Sequence, residues 1–200
     1  MKPSVLGTKY DKLARWWHEQ HKESQYGLRQ VKRALQFCEK GGNALDVGCG
    51  AGGRIVRLMQ EHELAVTGID VSAEMIRLAI ENHPDENFYV DDICRFESEE
   101  KFNFIVAWDS IFHLPLEQQE PVVGKLCALL EPGGVVIYTF GDAEGEHEDE
   151  MQGDTFHYSS LGISANLALL ALHGVDCKQL ELDQWPPHNH VFVIGVKRST

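Results

Sequence analysis

The chain has 200 residues, a formal net charge of −13, and 43% hydrophobic residues. This composition is typical of one globular domain with a sizeable core, and it excludes a disordered or fibrous chain. The strong negative charge disfavours nucleic acid and anionic membrane surfaces as partners. No apolar run approaches the roughly 20 residues that a membrane span needs.

The N-terminus carries no apolar signal segment, and the five cysteines show no CxxC spacing. We therefore expect a cytoplasmic protein with reduced cysteines. His188 and His190 form an HxH pair, but they lack a nearby third ligand, so no metal site is predicted.

The first 140 residues predict two helices followed by alternating strands and helices. The first helices are predicted over 8–22 and 25–39, and later ones over 54–61, from Ser72 onward and over 116–130. Strands are predicted over 44–47, 65–69, 87–90, 104–108 and 135–140. This alternation indicates a parallel sheet with helices on both faces.

The sequence changes character after residue 140. Residues 141–154 hold seven acids and little that is apolar, which predicts a solvated loop. A helix is predicted over 160–173, and strands over 175–183 and 190–196 must be antiparallel neighbours because their connection is short. The predicted fold is α/β and Rossmann-like: a single doubly wound, seven-stranded, mostly parallel sheet with an antiparallel C-terminal hairpin.

A glycine-rich loop follows the first strand. Gly48, Gly50 and Gly52 occupy alternate positions, which lets the backbone approach a ligand closely. With Gly53 the loop also fits the dinucleotide pattern GxGxxG. Asp46 would repel a pyrophosphate at this strand end, but it could hold an ammonium group. S-adenosylmethionine (SAM) carries an ammonium and a sulfonium and has no phosphate.

Two further acids follow the next two strands. Asp70 can accept hydrogen bonds from both ribose hydroxyls, a device that NAD enzymes also use, so it indicates a ribose without choosing the ligand. Asp92 could accept from an adenine amino group while the Ile93 N–H donates to a ring nitrogen. Acids at three successive strand ends favour a cationic nucleoside over a diphosphate.

These motifs resemble those of the class I SAM-dependent methyltransferases, particularly the small-molecule branch. The resemblance lies in Asp46-Val-Gly48-Cys-Gly50-Ala-Gly52, in Ile69-Asp70-Val-Ser72-Ala-Glu-Met75 and in Asp91-Asp92-Ile93. It continues through 102–114 and 130–134. The Asn/Asp-Pro-Pro-Tyr/Phe signature of methyltransferases acting on DNA and some protein amino groups is absent, because Asp109-Ser110-Ile111-Phe112 stands in its place.

The resemblance implies a methyltransferase that uses SAM, releases S-adenosylhomocysteine (SAH) and acts on a small-molecule acceptor. It implies a cofactor site lined by Tyr10, Asp46, Gly48, Cys49, Gly50, Gly52, Asp70, Val71, Met75, Asp92, Ile93 and Asp109. His113 lies just past the fourth strand and can act as a base. His157 and Tyr158, where such enzymes build their acceptor pockets, are the other candidate catalytic residues.

The chain is expected to form one domain with four segments. These are a helical cap (1–40), a SAM-binding core (41–140), an acidic lid or loop (141–158), and a C-terminal helix with the hairpin (159–200). Either a monomer or a homodimer is compatible with the sequence, and neither nucleic acid nor a membrane is expected as a partner.

Three alternatives remain open at this point. An NAD(P)-dependent oxidoreductase would also carry a glycine loop after the first strand and an acid such as Asp70 after the second. Asp46 and the terminal hairpin count against this alternative. A SAM-binding sensor without turnover would carry the same binding residues. A protein methyltransferase would fit if the acidic segment received a basic tail. The sequence does not identify the acceptor or the atom that is methylated.

Overall fold

The computed structural model describes residues 1–199, so the last position of the predicted segment 159–200 lies outside the described residues. In chain order the elements are α1 (Pro3–His21), α2 (Leu28–Leu35), β1 (Asn43–Val47), α3 (Arg54–Glu61), β2 (Ala65–Asp70), α4 (Ala73–Asn82), β3 (Asn87–Val90), β4 (Phe102–Ala107), α5 (Leu116–Leu129), β5 (Leu130–Gly141), β6 (Glu144–Met151), β7 (Asp154–Leu161), α6 (Gly162–Leu172), β8 (Val175–Gln184) and β9 (His190–Lys197). A 3-10 turn, Ile111–His113, follows β4.

Seven strands form one sheet in the order β3-β2-β1-β4-β5-β9-β8. The first five are parallel, whereas β9 runs antiparallel to both β5 and β8. The predicted α/β fold, a mostly parallel seven-stranded sheet with an antiparallel C-terminal hairpin, is confirmed. The chain reverses its direction of travel across the sheet between β1 and β4, and this leaves a crevice at their carboxyl ends.

Helices cover both faces of the sheet because its central strands are apolar on both sides. In β5, Val136 and Tyr138 face α5 and α6, while Val135 and Ile137 face α2 and α3. All four side chains are almost fully buried. The alternation follows from the two-residue period of a strand, and it places a separate core on each face.

The predicted loop over 141–154 is wrong, because β6 and β7 form a second, two-stranded antiparallel sheet. Gln152 and Gly153, with φ of 52° and 80°, make the turn, and positive φ at both positions matches a hairpin turn. Seven of the eight β6 residues are exposed. An exposed acidic strand has no apolar alternation, so the sequence carried no strand signal.

Several predicted boundaries also change. The first helix begins at Pro3 instead of residue 8, since proline is well suited to the first turn. The second is confined to Leu28–Leu35 because Gly27 adopts a left-handed conformation before it. The helix predicted to begin at residue 160 begins at Gly162, since the two preceding residues pair in β7.

Helix α1 packs against the β6–β7 hairpin. Phe156 on β7 is fully buried, and it packs with Leu6 and Leu13 of α1. Lys12 on α1 bonds Asp154 at 3.1 Å. One aromatic side chain thus anchors a strand that is otherwise mostly polar.

None of the helices within residues 1–199 combines the length and the apolarity needed to span a bilayer. The five cysteines are free thiols.

We expect Phe156→Ala to lower the free energy of unfolding by about 3 kcal/mol, because it empties a buried aromatic site. Urea denaturation measures this loss, and limited proteolysis locates it through faster cleavage within the hairpin. Thr155→Ala, at an exposed neighbouring position, is the control. Equal protease resistance in the two variants would contradict the anchoring role.

Candidate functional site

A cavity of about 250 Å³ lies where the strand order reverses. Its wall combines the glycine loop after β1, the carboxyl ends of β2 and β4, and side chains of α1. The carboxyl ends of parallel strands meet at one edge of the sheet, so the fold gathers Asp46, Asp70 and Asp109 around one space.

A left-handed backbone conformation explains the alternate glycines. Gly48, Gly50 and Gly52 have φ of 74°, 54° and 62°, a left-handed conformation that favours glycine. A Cβ on Gly48 would lie 2.3 Å from the Cβ of Ser110. Gly53, by contrast, has a negative φ of −85°, and a Cβ there would meet nothing within 4 Å. Left-handed φ therefore demands glycine at the three alternate positions, Gly48, Gly50 and Gly52, and this is the GxGxG pattern.

The Asp70 carboxylate is fixed by two backbone donors. The N–H of Gly50 donates to one oxygen at 3.0 Å, and that of Ser72 donates to the other at 2.8 Å. Burial raises the pKa of Asp70 to about 6. Ser72 also caps α4 by accepting from the N–H of Met75, and its hydroxyl donates to Asp11 of α1. The carboxylate is therefore rigidly held at the cavity wall.

Asp46 is only 4% exposed, and no donor within residues 1–199 bonds to its carboxylate. Burial, followed by the neighbouring charge of Asp70, raises the pKa of Asp46 to about 7, while Arg54 opposes the shift. A buried carboxylate without a partner is costly unless a cation reaches it. Asp46 is therefore placed to receive a cationic group from the cavity.

Tyr10 and His113 form a hydrogen-bonded pair on the cavity wall. The His113 Nδ1–H donates to the backbone oxygen of His157 at 3.0 Å, so the neutral ring accepts the Tyr10 hydroxyl through Nε2, also at 3.0 Å. Burial lowers the pKa of His113 to about 4, and burial raises the pKa of Tyr10. Both groups are therefore neutral at physiological pH.

Asp109 belongs to a largely buried chain of charged groups that sequence reasoning missed. His190 contacts Asp109 through Nε2 at 2.8 Å and Asp183 through Nδ1 at 2.5 Å. Burial alone lowers the pKa of His190, but its two carboxylate partners raise it. A carboxylate at each nitrogen favours the protonated ring, and the contact with His190 orients the Asp109 carboxylate.

No set of three or more potential metal ligands is grouped within the described part of the chain. In the sequence, the only indication of the role of His190 is that Asp183 and His190 lie on either side of the Pro186-Pro187 turn.

Most of the predicted site residues are brought together. The residues that line the cavity are Tyr10, Asp46, Gly48, Cys49, Gly50, Asp70, Val71, Met75, Asp92, Ile93, Asp109 and His113. Gly52 lies outside this wall, against Ala79 and His83. The cavity wall also includes Trp17, Tyr26, Arg54 and Trp108, which the sequence analysis did not assign to it.

His157 and Tyr158 lie outside the cavity wall. The His157 ring faces Glu146 across the hairpin at 3.1 Å, and only its backbone oxygen reaches His113. The Tyr158 ring stacks on His147, with ring centroids 5.0 Å apart. Pairing with β6 sets these directions, so the unpredicted hairpin explains the difference.

Comparison with known proteins identifies relatives over most of the chain. A family model described as a methyltransferase domain matches residues 16–182. The chain is 30% identical over 132 residues to phosphoethanolamine N-methyltransferase 2 of Caenorhabditis elegans, covering 62% of this chain and 30% of that protein. It is 30% identical over 143 residues to a ubiquinone biosynthesis O-methyltransferase of Coxiella burnetii, covering 66% and 59%. The chain thus spans less than two thirds of the length of either relative.

A solved structure shares the fold over almost the whole chain. It is the 1,6-didemethyltoxoflavin-N1-methyltransferase of Burkholderia thailandensis, with bound 1,6-didemethyltoxoflavin and SAH. The TM-score is 0.75 at 15% identity, covering 98% of this chain and 88% of that one.

We expect Asp46→Asn to raise the free energy of unfolding at pH 8 by on the order of 2 kcal/mol. The folded-state pKa of about 7 lies above the ordinary value, so the native protein loses stability between about pH 4 and 7 as Asp46 ionises. Urea denaturation at pH 5 and pH 8 measures the difference, with the exposed Asp85→Asn as control. A gain of equal size at both pH values would contradict a buried charge at Asp46.

Proposed function

We propose that this chain, which belongs to the methyltransferase-domain family, transfers the methyl group of SAM to a small-molecule acceptor. The observation that carries the proposal is the buried and unpartnered Asp46 beside the glycine loop. A pyrophosphate would be repelled there, whereas the ammonium of SAM supplies the missing cation. The relatives described above, which are named as an N-methyltransferase and an O-methyltransferase, support the same reaction class.

In this proposal each strand end holds a different part of the cofactor. Asp46 holds the ammonium, Asp70 the ribose hydroxyls, and Asp92 with the Ile93 N–H the adenine. Gly48 and Gly50 let the backbone approach, and Cys49, Val71 and Met75 supply apolar contacts on the wall. Asp70 suits its role because its backbone bonds leave further lone pairs to accept from a ligand.

Methyl transfer is a displacement for which the bound cofactor supplies the leaving group. The protein must align the acceptor, exclude water and, where needed, remove a proton. Helix α1 covers the cavity and places Tyr10 on its wall, which serves the first two tasks. Tyr10 with His113 serves the third: the hydroxyl accepts the proton of the acceptor while passing its own to the His113 Nε2.

We infer that residues 1–200 act as one cytoplasmic methyltransferase unit, monomeric or homodimeric, without a nucleic acid or membrane partner. The free thiols and the net charge of −13 support this view. Segment 141–158, a hairpin, would act as a lid. His157 and Tyr158 would contribute to catalysis from this hairpin. Turnover distinguishes an enzyme from a SAM-binding sensor.

The first experiment is a calorimetric titration with SAH and, separately, with NADH. We expect SAH alone to bind, and Asp70→Ala to weaken it by roughly 10- to 150-fold, since it removes hydrogen bonds to a charged group. Exposed Asp85→Ala controls for the lost charge. Binding of NADH alone would replace the proposal with an oxidoreductase, and an unchanged SAH affinity in Asp70→Ala would contradict the ribose role.

We expect Tyr10→Phe to lower kcat by about 100-fold or more, because it removes the hydroxyl that moves the proton. Its Kd for SAH should change little. SAH release is measured with the best acceptor from a panel of amines and phenols. Tyr89→Phe, at an exposed tyrosine, is the control. Full turnover by Tyr10→Phe would show that Tyr10 serves only as a cover.

A further inference from the structure

Asp109 has a strained backbone at the cavity wall. It follows β4 with a φ of 52°, a left-handed conformation that residues other than glycine rarely adopt. Its N–H donates to the Thr139 hydroxyl oxygen at 2.9 Å, and that hydroxyl donates back to Oδ1 of Asp109 at 3.3 Å. Strain of this kind persists only where surrounding contacts enforce it, and it is concentrated at functional sites.

The two oxygens of the Asp109 carboxylate have different surroundings. His190 Nε2 lies 2.8 Å from Oδ1, the same atom that Thr139 bonds. Among residues 1–199 no donor meets hydrogen-bond geometry with Oδ2, and the Asp109 side chain, which lines the cavity, is 27% exposed. One oxygen is therefore held by the protein, and the other is open to a ligand.

His190 is itself held from the opposite side. Its Nδ1 lies 2.5 Å from one oxygen of Asp183 on β8, and the other oxygen of Asp183 accepts from the side-chain amide of Gln30 on α2 at 2.7 Å. His190 is the first residue of β9 and its ring is 10% exposed. The imidazole is thus fixed at both nitrogens, between a carboxylate that faces the cavity and one that is buried.

The surroundings of Asp109 point to the acceptor. Asp109 and His113 lie on the same segment after β4, and both line the cavity with Tyr10. The charge of Asp109 raises the pKa of Tyr10 and acts on that of His113, in each case after the larger effect of burial. Asp109 is therefore close to the pair that is proposed to move the proton of the acceptor.

We propose that His190 is a positioning residue for methyl transfer: it holds one oxygen of Asp109 so that the other accepts an N–H or O–H group of the acceptor. Asp109 stays ionised and gains no proton. The methyl group moves from the sulfonium to the acceptor, and the proton leaves through Tyr10. An acceptor bonded in this way is oriented before the displacement, which lowers the barrier. The inference rests on the proposed function.

The test separates the two contacts of His190. The amide nitrogen of Gln reaches about as far as Nε2, and that of Asn about as far as Nδ1, so His190→Gln keeps a donor to Asp109 and His190→Asn does not. We expect His190→Asn to lower kcat/KM for the acceptor by roughly 10- to 100-fold, and His190→Gln to retain most of it. The Kd for SAH should be unchanged in both. Turnover is measured as SAH release with the best acceptor from the panel of amines and phenols.

A double-mutant cycle shows whether His190 acts through Asp109. Asp109→Asn keeps the shape of the side chain but removes its charge, and it should reproduce the loss seen in His190→Asn. The combined variant should be no slower than Asp109→Asn alone, because both changes remove one interaction. Independent, multiplying losses would contradict a positioning role.

His188→Asn is the matched control, because it makes the same substitution two residues earlier, where the side chain is exposed. This variant should keep the full kcat/KM. Thermal unfolding of each variant checks that the protein is folded. An equal loss of activity in His188→Asn would assign the effect to the β8–β9 turn as a whole and overturn the role of His190.

The outcomes separate the two proposals. If the wild-type protein does not bind SAH, or binds it without turning over any acceptor of the panel, the proposed function is overturned. If the wild-type protein is active and His190→Gln and His190→Asn have equal kcat/KM, the positioning role is overturned while the function stands. If His190→Asn weakens SAH binding and leaves the KM and kcat for the acceptor unchanged, the assignment of Asp109 to the acceptor is overturned.

Discussion

The two backbone hydrogen bonds to Asp70 hold together the parts from which the cavity is built. One comes from the glycine loop and the other from the start of α4, so a single carboxylate joins the ends of β1 and β2 to a helix. Ser72 extends this connection to Asp11 of α1. The position of α1 over the cavity therefore depends on Asp70, the same residue that is proposed to hold the ribose.

Charge inside the cavity is arranged for a ligand at some cost to stability. Among residues 1–199, Asp46 is buried without a donor, and Arg54 lacks an acid within ion-pair distance. By contrast, Asp70 accepts from two backbone N–H groups and Asp109 contacts the His190 ring. Unsatisfied groups of this kind are avoided in a core that only needs to fold, and they favour occupation by a ligand with complementary charges.

The hairpin and α1 connect this chemistry to the periphery of the molecule. Phe156 fixes the hairpin against α1, and the neighbouring His157 gives its backbone oxygen to His113. That bond selects the ring tautomer that leaves Nε2 free for Tyr10. A largely exposed, acidic hairpin therefore orients a buried pair on the cavity wall.

The sequence by itself determined the sheet, its antiparallel end and most of the cofactor wall, because these depend on local signals. The apolar runs specify strands, the alternate glycines specify the turn after β1, and parallel strands bring Asp46, Asp70 and Asp92 to one edge. Tertiary structure alone decided the β6–β7 hairpin, whose polar strand has no pattern of its own, and the contact of His190 with Asp109 from a distant strand. It also decided that Tyr10 bonds His113, since burial and partners depend on segments far apart in the chain.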